Sequence, residues 1–327
     1  MTVEYIFRKQ DPRFFSLENV FRSVMAGIGD RVAISILELP MPGVSLRNLL
    51  FLRRSRSCGH DVIHHVTGDA HYVVFALPRA RTVLTIHDCV FLDQYKGMRR
   101  QVIKWLLLDL PVRYLRYITT ISEKTRAEVI GHTGCDPKKI RVIGNPVSPA
   151  FREVVRPFNE ERPRILFLGT TPNKNLERAV KALEGLDCHL RIIGKLNEQQ
   201  DGALKNAGIE FSNAFSLSDA EIVSEYQEAD LLLFPTLYEG FGLPVIEAFR
   251  CGRAVVTSDL EPMSGVAGDA ACLVDPLDPA SIRAGVQKVI QDRDHRTTLI
   301  DRGRQRGAQF DPREVAARYL DLYKEMI

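Results

Sequence analysis

Short apolar runs alternate with helical patterns along this chain, and the alternation breaks once, near the middle. That pattern limits the fold more than any other feature. Strands separated by helices pair in parallel, because each helix carries the chain back across the sheet before the next strand begins. In the first half, Val32–Leu37, Val62–Val66, Thr82–Ile86 and Tyr117–Ile121 read as strands. Ser16–Met25, Leu46–Arg56, Gly97–Arg116 and Glu123–His132 read as helices, the last with Ser122 as its N-cap. The break is Asn145–Pro149 and a polar run from Arg152 to Arg164 containing Pro157 and Pro163, the composition of a linker. A second alternation follows. Its strands are Arg164–Gly169, Leu190–Gly194, Ile209–Phe211, Ala229–Phe234, Ala254–Ser258 and Ala271–Val274. Its helices are Leu176–Leu186, Asn197–Ala207, Asp219–Glu228, Pro244–Arg250 and Pro279–Arg293. The expectation is an α/β protein of two Rossmann-like, doubly wound domains facing across a cleft, residues 1–150 and 151–310. Residues 311–327 form a last helix, whose apolar stripe (Val315, Ala316, Tyr319, Leu320, Tyr323) is expected to pack back on the N-terminal domain.

A net charge of +3 over 327 residues gives no electrostatic case for nucleic acid as a partner. Charge is nonetheless uneven. Arg47, Arg53, Arg54 and Arg56 crowd one stretch; Lys96, Arg99, Arg100, Lys104, Arg113 and Arg116 crowd another around Trp105. These read either as solvated helix faces or as contact with an anionic membrane surface. No apolar run reaches the roughly 18–20 residues that a membrane span requires. The N-terminal stretch is too charged for a secretory signal. The six cysteines show no C-x-x-C spacing, so neither a zinc site nor a disulfide framework is indicated, and a cytoplasmic setting is expected.

The chemistry gathers at strand ends. Leu231–Phe234 runs into a loop with two glycines around an aromatic, and a helix then starts at Pro244. Glu239 stands before the turn and Glu247 within the helix, with seven residues between them. A helix N-terminus collects anions through its unpaired amides, and the glycines let a ligand approach the backbone. The carboxylates then suit hydroxyls, cations or protons. Gly169–Leu176 is a second strand-to-helix turn, where Lys174 adds a cation for phosphate and Arg178 lies four residues on. In the first half, His87–Asp88 ends a strand, and His65, Thr67, Gly68 and Asp69 form a polar strand end. Two carboxylates also suit a glycosidase, but an anion-collecting helix start favours Glu247 as an acceptor from vicinal hydroxyls. No Ser-His-Asp order, D-x-D pair or HExxH occurs, so a metal-independent reaction without a cofactor is expected.

These segments resemble the retaining glycosyltransferases of family four, with the GT-B fold. Glu239–Glu247, written E-G-F-G-L-P-V-I-E, is similar to the family's Glu-x7-Glu motif. Phe234–Tyr238, Glu247–Gly252, Ala254–Ser258, Ala267–Ala271, Asn173–Leu176, Thr120–Ser122 and Ile140–Pro146 are similar too. The resemblance implies transfer of a hexose-type sugar from a nucleotide diphosphate sugar to a hydroxyl of a glycan or lipid-linked acceptor. The setting it implies is cell-surface polysaccharide synthesis on the cytoplasmic face of a membrane. It places Lys174, with Gly169, Thr170 and Arg178, at the diphosphate, and Glu247 at the donor ribose. Glu239, Gly240, Phe241, Gly242 and Leu243 would lie against the donor sugar, His87 would approach that sugar, and His65, Thr67 and Asp69 would meet the acceptor. Three departures are evident: Thr170 stands where the family often has an arginine, Phe14–Glu18 stand where it often has a glycine-rich loop, and the glutamate usual before the Ala267–Ala271 segment is missing, with Ser264 and Gly265 nearby. The competing readings are a phosphorylase or a nucleotide-sugar epimerase on the same fold, or a binding module without catalysis.

Overall fold

A computed structural model of the protein describes residues 1–9 and 16–327, with the backbone alone at Ser16 and Leu17. Phe14 and Phe15 lie outside the described residues. The chain divides into two units: Met1–Pro146 together with Pro312–Ile327, and Val147–Asp311.

The first unit contains β1 (Thr2–Phe7), α1 (Ser16–Ile28), β2 (Ala33–Glu38), α2 (Leu46–Ser55), β3 (Val62–Val66) and β4 (Thr82–Ile86). After these come α3 (Gly97–Lys104), α4 (Leu110–Tyr114), β5 (Tyr117–Thr120), α5 (Glu123–Thr133) and β6 (Ile140–Val142). The strands form one parallel sheet in the order β2-β1-β3-β4-β5-β6. The direction of winding changes between β1 and β3, the point in such sheets where loops diverge and ligands bind.

β1 is a strand that the apolar pattern does not announce, because a carboxylate sits in its middle. Glu4 is 1% exposed. Its Oε1 accepts from Ser57 N at 2.9 Å and Ser57 Oγ at 2.7 Å, and its Oε2 lies 2.9 Å from His64 Nδ1. Burial alone would raise the Glu4 pKa, but the bonds from His64 and Ser57 outweigh it and hold it below the usual value. A buried carboxylate is tolerated on such terms. The long helix expected over Gly97–Arg116 is also interrupted. A π-helical turn, Trp105–Asp109, separates α3 from α4. Pro111 stands just past it and has no N–H for the i−4 carbonyl, which disrupts the ordinary ladder there.

The second unit contains β7 (Arg164–Leu168), α6 (Leu176–Leu183), β8 (His189–Ile193), α7 (Glu198–Asn206), β9 (Glu210–Ala214), α8 (Asp219–Glu228) and β10 (Leu231–Phe234). It continues with α9 (Leu243–Arg250), β11 (Ala254–Ser258), α10 (Met263–Ala267), β12 (Cys272–Val274), α11 (Pro279–Gln291) and α12 (Arg293–Ala308). The order β12-β11-β10-β7-β8-β9, all parallel, puts the switch between β7 and β10. Ile165, Phe167, Leu231, Leu233 and Val256 fill one face of this sheet beneath α6 and α11. α12 is a helix the sequence reading left out. It is dominated by charged residues, and its contact with α9 rests on Gly303 and Gly307, which leave room for Phe249.

The chain then returns to the first unit as α13 (Pro312–Glu325). Val315, Ala316, Tyr319, Leu320 and Tyr323 are buried with Phe21, Val24 and Ile28 of α1. A methyl group on Gly27 of α1 would stand 2.2 Å from the Pro312 carbonyl oxygen, so the two helices touch through backbone there.

Candidate functional site

The two loops that leave the β7–β10 switch point are stitched to one another. Leu237 N donates to Asn173 O at 2.8 Å, Thr236 Oγ1 to the same oxygen at 2.9 Å, and Asn173 Nδ2 to Tyr238 O at 3.1 Å. Asn175 has a φ of +66°, a left-handed conformation that asparagine tolerates better than most residues. Its buried amide donates to Pro235 O at 2.9 Å and to Pro276 O at 2.7 Å. Arg178 Nη1 donates to Asn175 Oδ1 at 2.9 Å, so the arginine orients this junction. Thr170 Oγ1 donates to Lys195 O at 2.7 Å, and the Thr170 carbonyl accepts from Gln200 Nε2 at 2.8 Å.

This stitching brings Lys174 and Glu239 together. Lys174 Nζ lies 2.5 Å from Glu239 Oε1, which also accepts from Thr236 Oγ1 at 3.0 Å. The ammonium stands 4.7 Å from the centre of the Phe234 ring, a cation–π position. The lysine stem runs across Gly169, where a Cβ would be 2.8 Å from Lys174 Cγ; with a φ of +85°, that position takes glycine on both counts. Gly242 plays the same part at the start of α9, with φ of +105° and Met263 Cε 2.3 Å from where a Cβ would be. Phe241 is buried edge-on against Phe310 at 5.8 Å, so its backbone is firmly seated. Leu243 opens α9 and Pro244 occupies its first turn, where the missing N–H costs nothing. The first amides of the helix have no intrahelical acceptors, which leaves a positive end beside the Lys174–Glu239 pair.

Glu247 lies further along α9. Its Oε2 accepts from Tyr226 OH at 2.5 Å. Burial pushes its pKa up to about 6, with the Tyr226 bond working in the opposite direction. The carboxylate lines a cavity of about 640 Å³ together with Ser148, Phe151, Arg152, Ile222 and Val223. Phe151 meets the Tyr226 ring edge-on at 5.3 Å. The sequence reading missed this wall. It took Asn145–Pro149 and Arg152–Arg164 for linker, and Tyr226 carries no motif; the signal available was Phe151, an aromatic between those two stretches.

In the first unit, His87 follows β4. Its Nε2 donates to Thr67 O at 2.8 Å, and Phe21 lies edge-on at 6.1 Å. Burial lowers its pKa against the opposing pull of the Thr67 carbonyl, so the ring is neutral at neutral pH. Two acceptor-side expectations need correction. His65 is 0% exposed, and both ring nitrogens are used inside the core: Nδ1 with Tyr323 OH at 2.6 Å, Nε2 with Thr85 Oγ1 at 2.7 Å. It fastens α13 to the sheet and is not available to a ligand. Thr67 is buried as well, its hydroxyl donating to Ile6 O at 3.0 Å, and it acts on His87 through its carbonyl. Asp69 remains at the surface, with a φ of +51° and an ion pair to Arg8, which also donates to Glu18 Oε1 at 2.9 Å.

Two six-stranded parallel sheets, one of them ordered about a β7–β10 switch with Lys174 and Glu239 on its loops and Glu247 on α9, define an α/β protein of the GT-B class. Two family models tile the chain: "Glycosyltransferase Family 4" matches residues 3–151 and "Glycosyl transferases group 1" matches residues 151–306. The chain belongs to glycosyltransferase family four. It is 34% identical over 106 residues to the O-antigen chain mannosyltransferase B of Escherichia coli, which is 32% of this chain and 28% of that protein. It is 25% identical over 280 residues to the MMP alpha-(1->4)-mannosyltransferase of Mycolicibacterium hassiacum, 81% of this chain and 64% of that one. The chain thus spans less than two thirds of the length of these curated relatives. Among solved structures, Anabaena HepE in complex with UDP superposes with a TM-score of 0.77 at 14% identity, over 99% of this chain and 100% of that one.

Proposed function

We propose that the protein is a retaining, metal-independent glycosyltransferase. It moves a hexose, with mannose favoured, from a nucleotide diphosphate sugar to a hydroxyl of a glycan or lipid-linked acceptor in cell-surface polysaccharide assembly. The observation that carries this reading is the Lys174–Glu239 pair at the open end of α9, with Glu247 facing a cavity of about 640 Å³. The cavity suits a nucleoside, and Glu247, already accepting from Tyr226, has lone pairs left for a ribose diol. When a diphosphate arrives, Lys174 exchanges Glu239 for phosphate oxygens. Glu239 is thereby released to the hydroxyls of the donor sugar. As the glycosidic bond breaks, negative charge grows on the departing diphosphate, and Lys174 and the helix end stabilise it. A desolvated donor of this kind contributes about 3–4 kcal/mol to the transition state. The leaving phosphate takes the acceptor's proton from the same face, so configuration is retained. His87, neutral and with Nδ1 unpartnered among the described residues, is assigned to a hydroxyl of the transferred sugar. Mannose is favoured because the two relatives described above carry mannosyltransferase names.

The test is transfer to a lipid-linked glycan fraction with GDP-, UDP- and dTDP-sugars. Lys174→Ala and Glu239→Ala lose transfer while keeping their fold, EDTA leaves the rate unchanged, and proton NMR of the product shows the donor's anomeric configuration. Full activity in both variants removes the site assignment.

Membrane contact belongs to the same reading. Among the described residues no helix is long and apolar enough to cross a membrane. Met98, Val102 and Trp105 are 86%, 59% and 53% exposed and share one helical face, flanked by Lys96, Arg99 and Arg113. Such a face suits an anionic lipid surface. Co-sedimentation with phosphatidylglycerol vesicles, lost in Trp105→Ala and absent with phosphatidylcholine, is the expected result.

A further inference from the structure

We propose that Tyr226 is a positioning residue: seated by Phe151, it holds the Glu247 carboxylate in the orientation that receives the donor ribose. The proposal rests on the nucleotide-sugar reading above and adds to it the groups that aim its ribose acceptor. A glutamate side chain has three rotatable bonds, and a ligand that must order it binds more weakly than one that finds it already ordered.

The ordering group comes from α8. A reciprocal cap fixes where this helix starts: Ser218 N donates to Glu221 Oε2 at 2.7 Å, and Glu221 N to Ser218 Oγ at 3.4 Å. From that start, Ile222, Val223, Tyr226 and Gln227 fall on one face at spacings of three and four. Ile222, Val223 and Gln227 line the cavity that Glu247 also lines, and Tyr226 is fully buried. The Tyr226 hydroxyl donates to Glu247 Oε2 at 2.5 Å. Burial raises the phenol pKa well above its ordinary value of 10, so it remains a donor across the neutral range.

The tyrosine is held in turn from the strap between β6 and β7. Phe151 meets its ring edge-on at 5.3 Å, and the backbone on both sides of Phe151 is tied down. Val147 N donates to Phe310 O at 2.9 Å, Gln227 Nε2 to Arg152 O at 3.2 Å, and Arg304 Nε to Glu153 Oε2 at 3.0 Å. Gly252 leaves the space that Glu153 fills, since a Cβ there would stand 2.9 Å from Glu153 Cδ. A tether between domains requires none of these bonds. Together they make the segment a fixed wall of the donor cavity, with Phe151 bearing on Tyr226 and Tyr226 on Glu247.

The other charged and titratable groups around Glu247 stay in place when Tyr226 is changed. Arg152 and Asp219 line the same cavity. Cys251, at the end of α9, lies near Glu247 with Arg250 and Arg253 about it. Burial pushes the Cys251 thiol up to about 12, so it carries no charge near neutral pH.

Calorimetry on the intact protein tests this with GDP, UDP and the 2′,3′-dideoxy form of each, which keeps the base and the diphosphate but offers Glu247 no diol. The wild type binds one ribose form at least roughly tenfold tighter than its dideoxy counterpart. Tyr226→Phe removes most of that preference by weakening the ribose form roughly tenfold, the scale of one hydrogen bond to a carboxylate. The dideoxy form binds the variant as it binds the wild type. Phe151→Leu acts in the same direction, and adding it to Tyr226→Phe weakens the ribose form no further, because both act through one carboxylate. The preference has a pH profile as well. In the wild type it fades as pH falls through about 6; in folded Tyr226→Phe it fades at a higher pH, since the bond that lowers the Glu247 pKa is gone. Taking the ratio of the two forms cancels the titration of the diphosphate itself. The proposal is overturned if Tyr226→Phe keeps the full ribose preference, or if it weakens both forms by the same factor, the mark of a tyrosine with a structural role alone. Should Tyr226→Phe not fold, Phe151→Leu is judged on the same two outcomes. A wild type that binds no nucleoside diphosphate, or binds ribose and dideoxy forms alike, tells instead against the donor-site reading itself.

Discussion

Glu247 carries its charge where burial opposes it. Its carboxyl is raised from the ordinary 4.5 to about 6 by burial, so the free protein carries a carboxylate it would rather protonate. The sign follows directly. For an acid raised on folding, stability is fully present below the unfolded pKa and is lost as pH climbs through about 6. A shift of that size corresponds to about 2 kcal/mol. Glu247→Gln should therefore raise the melting temperature of the free protein near neutral pH, leave it unchanged near pH 4, and remove donor binding. A variant that melts lower at neutral pH contradicts this account of the residue. Lys174, Glu239 and Glu247 were legible in the sequence because each sits in a strand–glycine–helix turn whose chemistry is local. Tyr226, Phe151 and the loop-joining bonds of Asn173 were not. Their partners are distant in the chain, as with the 65 positions that separate Asn173 from Tyr238, and no local pattern encodes such a pair. His65 misled for the related reason that a histidine at a polar strand end looks the same whether a ligand or a tyrosine from α13 waits for it.

Elements were read well where apolar periodicity alone determines them, as for β11 and α8, and poorly where a polar group is buried or a glycine does the packing. β1 was hidden by Glu4, which only its bonds to His64 and Ser57 make tolerable in a central strand. α12 was hidden because its seat on α9 is made by Gly303 and Gly307, residues that lower helix propensity while permitting close approach. The same logic gives a test at α1 and α13. In an isolated helix Gly27→Ala would gain up to about 1 kcal/mol. Here the methyl meets the Pro312 carbonyl at 2.2 Å, so the substitution should cost about 1–3 kcal/mol by separating the helices. Urea denaturation followed by circular dichroism measures it, and a stabilised variant would show that α13 is not seated on α1.

Across the whole molecule, the buried histidines of the first unit set its response to acid. His65 is held to a pKa of about 3 by burial in the first unit, and burial lowers His71 and His87 there as well. The unfolded chain takes up a proton near pH 6.5 that folded His65 refuses until about pH 3, so stability falls as pH drops through that window. At pH 5 the loss from His65 alone is about 2 kcal/mol. In the second unit Glu247 gains stability over part of the same range, against the lowered His189 and His295. Hydrogen exchange at about pH 5 against pH 7 should show protection lost first in β3, β4 and α13 and kept in β7, β10 and β11; the reverse order would contradict the assignment of His65 to a buried clamp. What binds the account together is the claim that Lys174 and the start of α9 hold a diphosphate. Calorimetric titration of GDP, UDP and dTDP into wild-type protein and Lys174→Ala measures that directly. The account predicts that one nucleoside diphosphate binds the wild type and binds folded Lys174→Ala about 10- to 100-fold more weakly, a loss of about 1.4–2.8 kcal/mol. No binding to the wild type, or equal affinity without the lysine, would contradict it.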